Sequence, residues 1–125
     1  MTKVAPTDEA ISTPRANAGL IKAWDTVLFD KMTKYEGLLV EGLGAHGTKL
    51  IDAYPPAAGD SVLDCGCGWG DSTAYLASKV KEGGGMAVGV DCAPRFIEKA
   101  KEKVRFSETL SDGSLASTIH LRVPL

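Results

Sequence analysis

The stretch from residue 61 to residue 91 constrains the fold of this chain more than any other, because two apolar runs flank a glycine-rich turn. Ser61–Cys65 has the pattern of a short buried strand and leads directly into glycines at every second position. Residues 86–91 form a second run without polar alternation, as in a parallel strand covered on both faces. With a helix between them, the two runs predict a βαβ unit with a right-handed crossover.

Helices are also predicted before this unit, from apolar residues that recur at three- and four-residue steps. One pattern runs from Leu20 to Tyr35, and a second runs from Leu38 to Tyr54, after which two prolines end it. Residues 1–19 are predicted to be a mobile leader, which leaves residues 20–125 as one domain.

Local signals place the remaining elements. Asp71 or Ser72 is suited to cap the helix after the glycine loop, and Pro94 is suited to open another helix as its first residue. The charged residues at 99–103 on that helix are expected to face solvent. The alternation of apolar and polar residues at 119–123 predicts a third strand.

The sequence defines the roles of three aromatic residues less clearly. Trp24 and Tyr35 could close over a ligand, but a helical stripe of aromatics favours the core. For Trp69, inside the glycine loop, two roles stay open. It could pack on the helices predicted before the βαβ unit, here called the leader helices, or it could contact a ligand.

Composition excludes several classes of protein. The chain has 125 residues, 44% hydrophobic and 24% charged, which is typical of one folded domain and not of a disordered chain. Its net charge of −2 makes nucleic acid and anionic membranes unexpected partners. No apolar run approaches the roughly 18 residues of a membrane span and no secretion signal is visible, so a cytoplasmic location is expected.

The cysteines are expected to be free thiols of a reducing compartment. Three cysteines cannot all pair, and Cys65 and Cys67 are too close in sequence to join distant parts of the chain. No metal site is expected, because His46 and His120 are scattered and the cysteines lack the spacing of zinc ligands.

The glycine loop and the acid that ends the second strand predict a site for a cofactor that contains adenosine. Glycines 66, 68 and 70 allow a sharp turn and the close approach of a ligand. Asp91 follows Gly70 by 21 residues, a separation that suits hydrogen bonds to ribose hydroxyls. Asp64 would repel a pyrophosphate and favours the cationic S-adenosylmethionine. A nicotinamide or flavin dinucleotide is the alternative, although the loop lacks the G-x-G-x-x-G spacing.

The segments VLDCGCGWGDST and VGVDCAPRFIEKA resemble the first two motifs of the class I S-adenosylmethionine-dependent methyltransferases. The resemblance covers residues 60–103, and Trp24-Asp25 is similar to the leader of small-molecule members related to the ubiquinone and menaquinone methyltransferases. It implies a Rossmann-like α/β fold, S-adenosylmethionine as cofactor and a small-molecule methyl acceptor. The implied cofactor-binding residues are Asp64, Cys65, Gly66, Cys67, Gly68 and Gly70 at the methionine end, Asp91 at the ribose and Cys92 beside the adenine.

The chain departs from the family in its length. The family's domain has seven strands, whereas this chain has room for about three, so the resemblance implies leader helices and the N-terminal half of the sheet. No catalytic residue can be identified, and we expect the 125-residue chain to be inactive by itself. In the resembled fold the first strand is central, and the available helices would cover only one face of the sheet, so an unpaired strand edge and an exposed apolar face predict self-association. The alternatives are a dinucleotide-dependent oxidoreductase fragment and a non-catalytic binding or assembly module.

Overall fold

The computed structural model describes residues 16–110 and 118–124. The helices are α1 (Ala18–Ala23), α2 (Phe29–Lys34), α3 (Glu36–Ala53), α4 (Asp71–Val80) and α5 (Pro94–Leu110), and a π-helical turn (Trp24–Leu28) joins α1 to α2. The strands are β1 (Ser61–Cys65), β2 (Met86–Val90) and β3 (Ile119–Arg122). None of the described helices is long and apolar enough to cross a membrane.

The strands form one parallel sheet in the order β1-β2-β3. The register places Leu63 of β1 beside Val88 of β2, which in turn lies beside His120 of β3. This sheet with its helices confirms the predicted α/β class and the βαβ unit. β1 has the predicted bounds, and β2 ends one residue earlier than expected, so that Asp91 lies just beyond the strand.

Helices cover one face of the sheet in the described part of the chain. Ala87 and Ile119 are buried on that face together with Ala77 of α4. The opposite face carries Leu63 and Met86, whose exposed fractions are 63% and 38%. The expectation that helices cover only one face is therefore confirmed for the described residues, whereas the interpretation of residues 86–91 as a strand covered on both faces is wrong there, because α4 and α5 pack on the same side.

The segment before the sheet has more breaks than its periodicity predicts. The helix starts at Ala18, passes through the π-helical turn and ends before Tyr35, which separates α2 from α3. Tyr35 is 53% exposed, so the prediction that it lies in the core is wrong. Most of the predicted mobile leader, residues 1–15, lies outside the described residues.

An aromatic cluster packs the leader helices onto the loops that follow β1 and β2. Phe96 is its centre, with ring centroids 4.9 Å from Phe29, 5.7 Å from Trp69 and 6.5 Å from Trp24. Aromatic pairs at these separations stabilise beyond the area that they bury. The cluster therefore holds α2 and α3 above the carboxyl ends of the first two strands.

Candidate functional site

Backbone hydrogen bonds pin the loop between β1 and α4 to the end of β2. The nitrogens of Gly66 and Cys67 donate to the carbonyl oxygen of Val90 over 2.8 and 3.0 Å. Gly66, Gly68 and Gly70 have φ values of +75°, +52° and +81°, a backbone region that residues other than glycine rarely adopt. The alternate glycines in the sequence are thus required by the backbone path of this loop.

Gly70 is the residue that precedes the first turn of α4. It is buried, and a Cβ atom at this position would lie 3.2 Å from the Cβ of Ala100. No side chain caps α4, so the prediction of a cap at Asp71 or Ser72 is wrong. Asp71 instead accepts hydrogen bonds of 2.8 and 3.0 Å from Nζ of Lys103.

Asp91 joins the end of β2 to the glycine loop. Its Oδ2 atom accepts a hydrogen bond of 3.0 Å from the nitrogen of Gly68, and its Oδ1 atom accepts one of 2.9 Å from the nitrogen of Ala93. Each carboxylate oxygen can accept a second hydrogen bond. The carboxylate therefore keeps acceptor capacity where the sequence predicts contact with a ribose.

Asp64 lies on the helix-covered face of β1 and does not line the cavity described next. Its Oδ2 atom accepts a hydrogen bond of 2.7 Å from Oγ1 of Thr73, a residue with no exposed surface. Asp64 thus holds α4 against the sheet directly below the glycine loop.

A cavity of about 410 Å³ separates the glycine loop from helices α2 and α3. One side is polar and includes Gly66, Gly68 and the carboxylates of Asp71 and Asp91. The other side is apolar. The volume of the whole cavity is in the range of small-molecule sites. The apolar wall comes from Trp24, Met32, Leu39, Val40, Leu43 and Phe96.

The three cysteines differ in their surroundings. Cys67 is buried on the cavity side, and burial together with the charges of Asp64 and Asp91 raises the pKa of its thiol to about 12. Cys65 and Cys92 are exposed and do not line the cavity. All three are free thiols. Among the described residues, no group of three or more His, Cys, Asp and Glu side chains is placed to hold a metal ion.

The structure confirms one of the two roles left open for Trp69, packing against the leader helices, and contact with a ligand stays a prediction. Its side chain is 8% exposed and packs in the aromatic cluster, and it also borders the cavity. Trp24 is partly buried against the same cluster and borders the cavity from the leader side. Trp24, Trp69 and Phe96 thus belong to both the aromatic cluster and the cavity wall.

Sequence reasoning missed an ion-pair cluster at the rim of this cavity. Lys99 and Lys103 both bind the carboxylate of Glu36, and Lys103 also binds Asp71. The prediction that these lysines only face solvent is therefore wrong. Burial acts to raise the pKa of Glu36, but hydrogen bonds from the two lysines outweigh it and hold that pKa below its usual value. The cluster connects α3, α4 and α5, and its only sequence signal is the four-residue spacing of the lysines.

Comparison with known proteins finds a family that matches part of this chain. The family described as the methyltransferase domain matches residues 62–118. The aklanonic acid methyltransferase DauC of Streptomyces sp. (strain C5) is 38% identical over 79 residues, which are 62% of this chain and 36% of that protein. The chain spans about a third of the length of the curated relatives that it matches.

Solved structures share the fold. Magnesium protoporphyrin IX methyltransferase (ChlM) from Synechocystis PCC 6803, solved with bound S-adenosylhomocysteine, superposes with a TM-score of 0.64 at 17% identity, over 87% of this chain and 51% of that chain. A SAM-dependent methyltransferase from Aquifex aeolicus gives a TM-score of 0.50 at 24% identity, over 63% of this chain and 38% of that chain. Residues 62–118 are thus similar to the methyltransferase domain family, and these comparisons support the resemblance to the class I S-adenosylmethionine-dependent methyltransferases.

Proposed function

We propose that this chain binds S-adenosylmethionine in the cavity between the glycine loop and the leader helices, as the cofactor-binding part of a small-molecule methyltransferase. The observation that carries the proposal is the carboxylate of Asp91, which borders the cavity with free acceptor capacity beside the backbone of Gly68. The cofactor, when bound, supplies a methyl group on a positively charged sulfur.

The charges on the cavity wall fit such a cation. Asp91 receives its two hydrogen bonds from backbone N–H groups, which leave its negative charge in place. Asp71 adds a second carboxylate, partly balanced by Lys103, at the position where a dinucleotide loop has glycine or alanine. A pyrophosphate at this place would meet two carboxylates, so the wall favours a cationic ligand over a dinucleotide.

The candidate binding residues divide by position. Gly66, Cys67 and Gly68 line the cavity and would receive the methionine end of the cofactor, while Asp91 would bind the ribose hydroxyls. The other residues support the site from behind or flank it at the strand ends. These are Asp64, Cys65, Gly70 and Cys92.

The apolar wall supports an organic molecule as the methyl acceptor. The six apolar side chains of this wall come mainly from the leader helices, and they present an apolar surface opposite the glycine loop. The similarity to an aklanonic acid methyltransferase supports the same substrate class. Transfer of a methyl group depends mainly on in-line positioning, which such a wall can provide.

Calorimetry with S-adenosylhomocysteine tests the cofactor proposal. Asp91→Asn removes the charge that strengthens hydrogen bonds to the ribose, and we expect roughly ten- to hundredfold weaker binding. Glu82→Gln, at an exposed position after α4, makes the same change of charge and should bind within about twofold of the parent. Tighter binding of NADH than of S-adenosylhomocysteine, or equal affinity of parent and Asp91→Asn, would refute the proposal.

We also propose that the chain self-associates through β1. Within the described residues β1 pairs on one side only, with β2, so its other edge has free backbone N–H and C=O groups. Leu63, in the middle of this strand, is 63% exposed. A second copy of β1 can satisfy this edge and cover Leu63, since unpaired apolar edges associate readily.

A further inference from the structure

We propose that Asp25 is a positioning residue for the cavity: it holds the turn between β2 and α5 and thereby fixes the carboxylate of Asp91 against the glycine loop. This inference rests on the proposed function, because it concerns the wall that would receive the cofactor. It assigns a role to a residue that does not itself line the cavity.

The amino terminus of α5 is capped from a distant part of the chain. Pro94, its first residue, has no N–H, and Ala93 before it has no side-chain oxygen that could act as a cap. Asp25 supplies the missing acceptor, because its Oδ1 atom lies 2.8 Å from the backbone nitrogen of Arg95. A carboxylate at this end also interacts favourably with the dipole of α5.

The π-helical turn Trp24–Leu28 contains Asp25 and presents it to α5. Such turns are rare and often occur at functional sites. Trp24, the first residue of the turn, contacts Phe96, which directly follows Arg95. One turn therefore contributes both a cap to α5 and an aromatic ring to the cavity wall.

Arg95 strengthens the contact from its side chain. Its Nη1 atom donates to the carbonyl oxygen of Asp25 over 3.3 Å, and its guanidinium carbon lies 4.1 Å from the ring centroid of Phe29. Asp30 binds the same guanidinium at 2.9 Å, but its side chain is 67% exposed. An exposed ion pair of this kind contributes little to stability. Asp25 is half-buried, so solvent screens its contacts with Arg95 less.

From Arg95 the constraint passes to the cavity through the intervening turn. The nitrogen of Phe96 donates to the carbonyl oxygen of Ala93 over 3.1 Å, and the nitrogen of Ala93 donates to Oδ1 of Asp91 over 2.9 Å. The other oxygen of Asp91 accepts from Gly68 over 3.0 Å. Loss of the cap should therefore loosen the amides that orient the carboxylate of Asp91.

Amide hydrogen exchange, followed by NMR, tests this role without any ligand. The readout is the exchange rate of the Gly68 amide divided by that of Ala87, whose amide is bonded within the sheet and reports general stability. Asp25→Ala should raise this ratio at least tenfold. Asp25→Asn keeps an acceptor oxygen and should stay within threefold of the parent. Asp30→Ala, the matched control on the outer face of Arg95, should stay within twofold.

Two outcomes of this experiment overturn the proposal. An unchanged ratio in Asp25→Ala would identify Asp25 as a general stabilising residue, and an equal rise in Asp25→Asn would exclude the hydrogen bond as the cause. If Asp25→Ala does not fold, Asp25→Glu replaces it, because it keeps the charge and moves the carboxylate by one methylene. We expect a rise of about threefold there, and no rise overturns the proposal.

Binding of S-adenosylhomocysteine separates this inference from the proposed function. Asp25→Ala should weaken binding about tenfold, while Asp30→Ala leaves it unchanged. Equal affinity of Asp25→Ala and the parent overturns the positioning role and leaves the proposed function standing. Absence of binding by the parent overturns the proposed function, and the exchange ratio then decides alone whether Asp25 holds the turn.

Discussion

Oγ1 of Thr73 donates a hydrogen bond of 2.7 Å to Oδ2 of Asp64, and this contact joins α4 to the strand that precedes the glycine loop. Thr73 has no exposed surface and lies over Gly89 of β2, where an added Cβ atom would be 2.7 Å from its Oγ1. The contact therefore fixes the distance between helix and sheet directly beneath the glycine loop. Because this hydrogen bond engages its carboxylate, Asp64 has a structural role at the end of β1 although it does not line the cavity.

We expect Thr73→Val to lower the free energy of unfolding by about 1–3 kcal/mol. Valine has nearly the same shape but cannot donate, so the carboxylate of Asp64 loses its donor in a half-buried place. Urea denaturation followed by circular dichroism measures the change. Thr48→Val is the control, because its hydroxyl bonds the carbonyl of Gly44 on the exposed side of α3, and it should cost less than about 0.5 kcal/mol. Equal losses in both variants would contradict the role given to Thr73.

The parts of the fold that the sequence predicts are those with local causes. The bounds of β1 follow from five residues, and the glycine positions follow from backbone angles that only glycine adopts readily. Pro94 is the first residue of α5, as predicted, because its fixed φ suits that position. Each of these features can be read from a short window of the chain.

The parts that the sequence does not predict depend on contacts between distant segments. Asp25 and Arg95 are 70 residues apart, and Glu36 and Lys99 are 63 apart, so no local pattern links them. The apolar pattern of β1 indicates only that a strand forms, and the exposure of Leu63 is expected from the resemblance to a known fold rather than from the local sequence. The apolar periodicity of residues 20–35 predicts a helix, but it does not predict the π-helical turn that contains Asp25.

We expect iodoacetamide at pH 8 to modify Cys65 and Cys92 of the folded chain and to leave Cys67 unmodified. The thiolate is the reactive form, and a pKa of about 12 leaves roughly one Cys67 thiol in ten thousand ionised at that pH. Peptide mass spectrometry identifies the modified residues. Concentrated urea is the control, because all three cysteines should then react. Modification of Cys67 at the rate of Cys92 in the folded chain would contradict the burial described for it.

The raised pKa of Cys67 also makes stability depend on alkaline pH. The unfolded thiol ionises near its ordinary value of 9.0, whereas the folded thiol keeps its proton to about 12. Between these values unfolding releases a proton, so the free energy of unfolding should fall as pH rises, by at most about 1.4 kcal/mol per pH unit. Cys67→Ser should remove this part of the slope, and Cys65→Ser should retain it. Identical slopes in the two variants would show that another group is responsible.

Glu36→Gln should lower the free energy of unfolding by about 0.5–1.5 kcal/mol at pH 7, since both lysines lose their shared carboxylate and partial exposure screens the attraction. The folded pKa of Glu36 lies below its usual value of 4.5, so this stabilisation is complete above that value and is lost as pH falls through the folded one. The difference between parent and variant should therefore shrink at pH 3. Glu41→Gln, exposed on the same helix, should change stability by less than about 0.5 kcal/mol at either pH. A difference that stays constant from pH 7 to pH 3 would exclude the ion pairs as its cause.

Self-association through β1 predicts that the mass measured by light scattering after size exclusion rises with protein concentration. Leu63→Lys should shift the chain toward the monomer, because a charged side chain in the middle of an edge strand opposes pairing with a second copy. Leu38→Lys is the matched control: Leu38 is 72% exposed but belongs to α3 and not to β1, so this change should leave the concentration dependence of the parent intact. A parent that remains monomeric across the dilution series, or equal shifts in the two variants, would show that β1 is not the contact between copies.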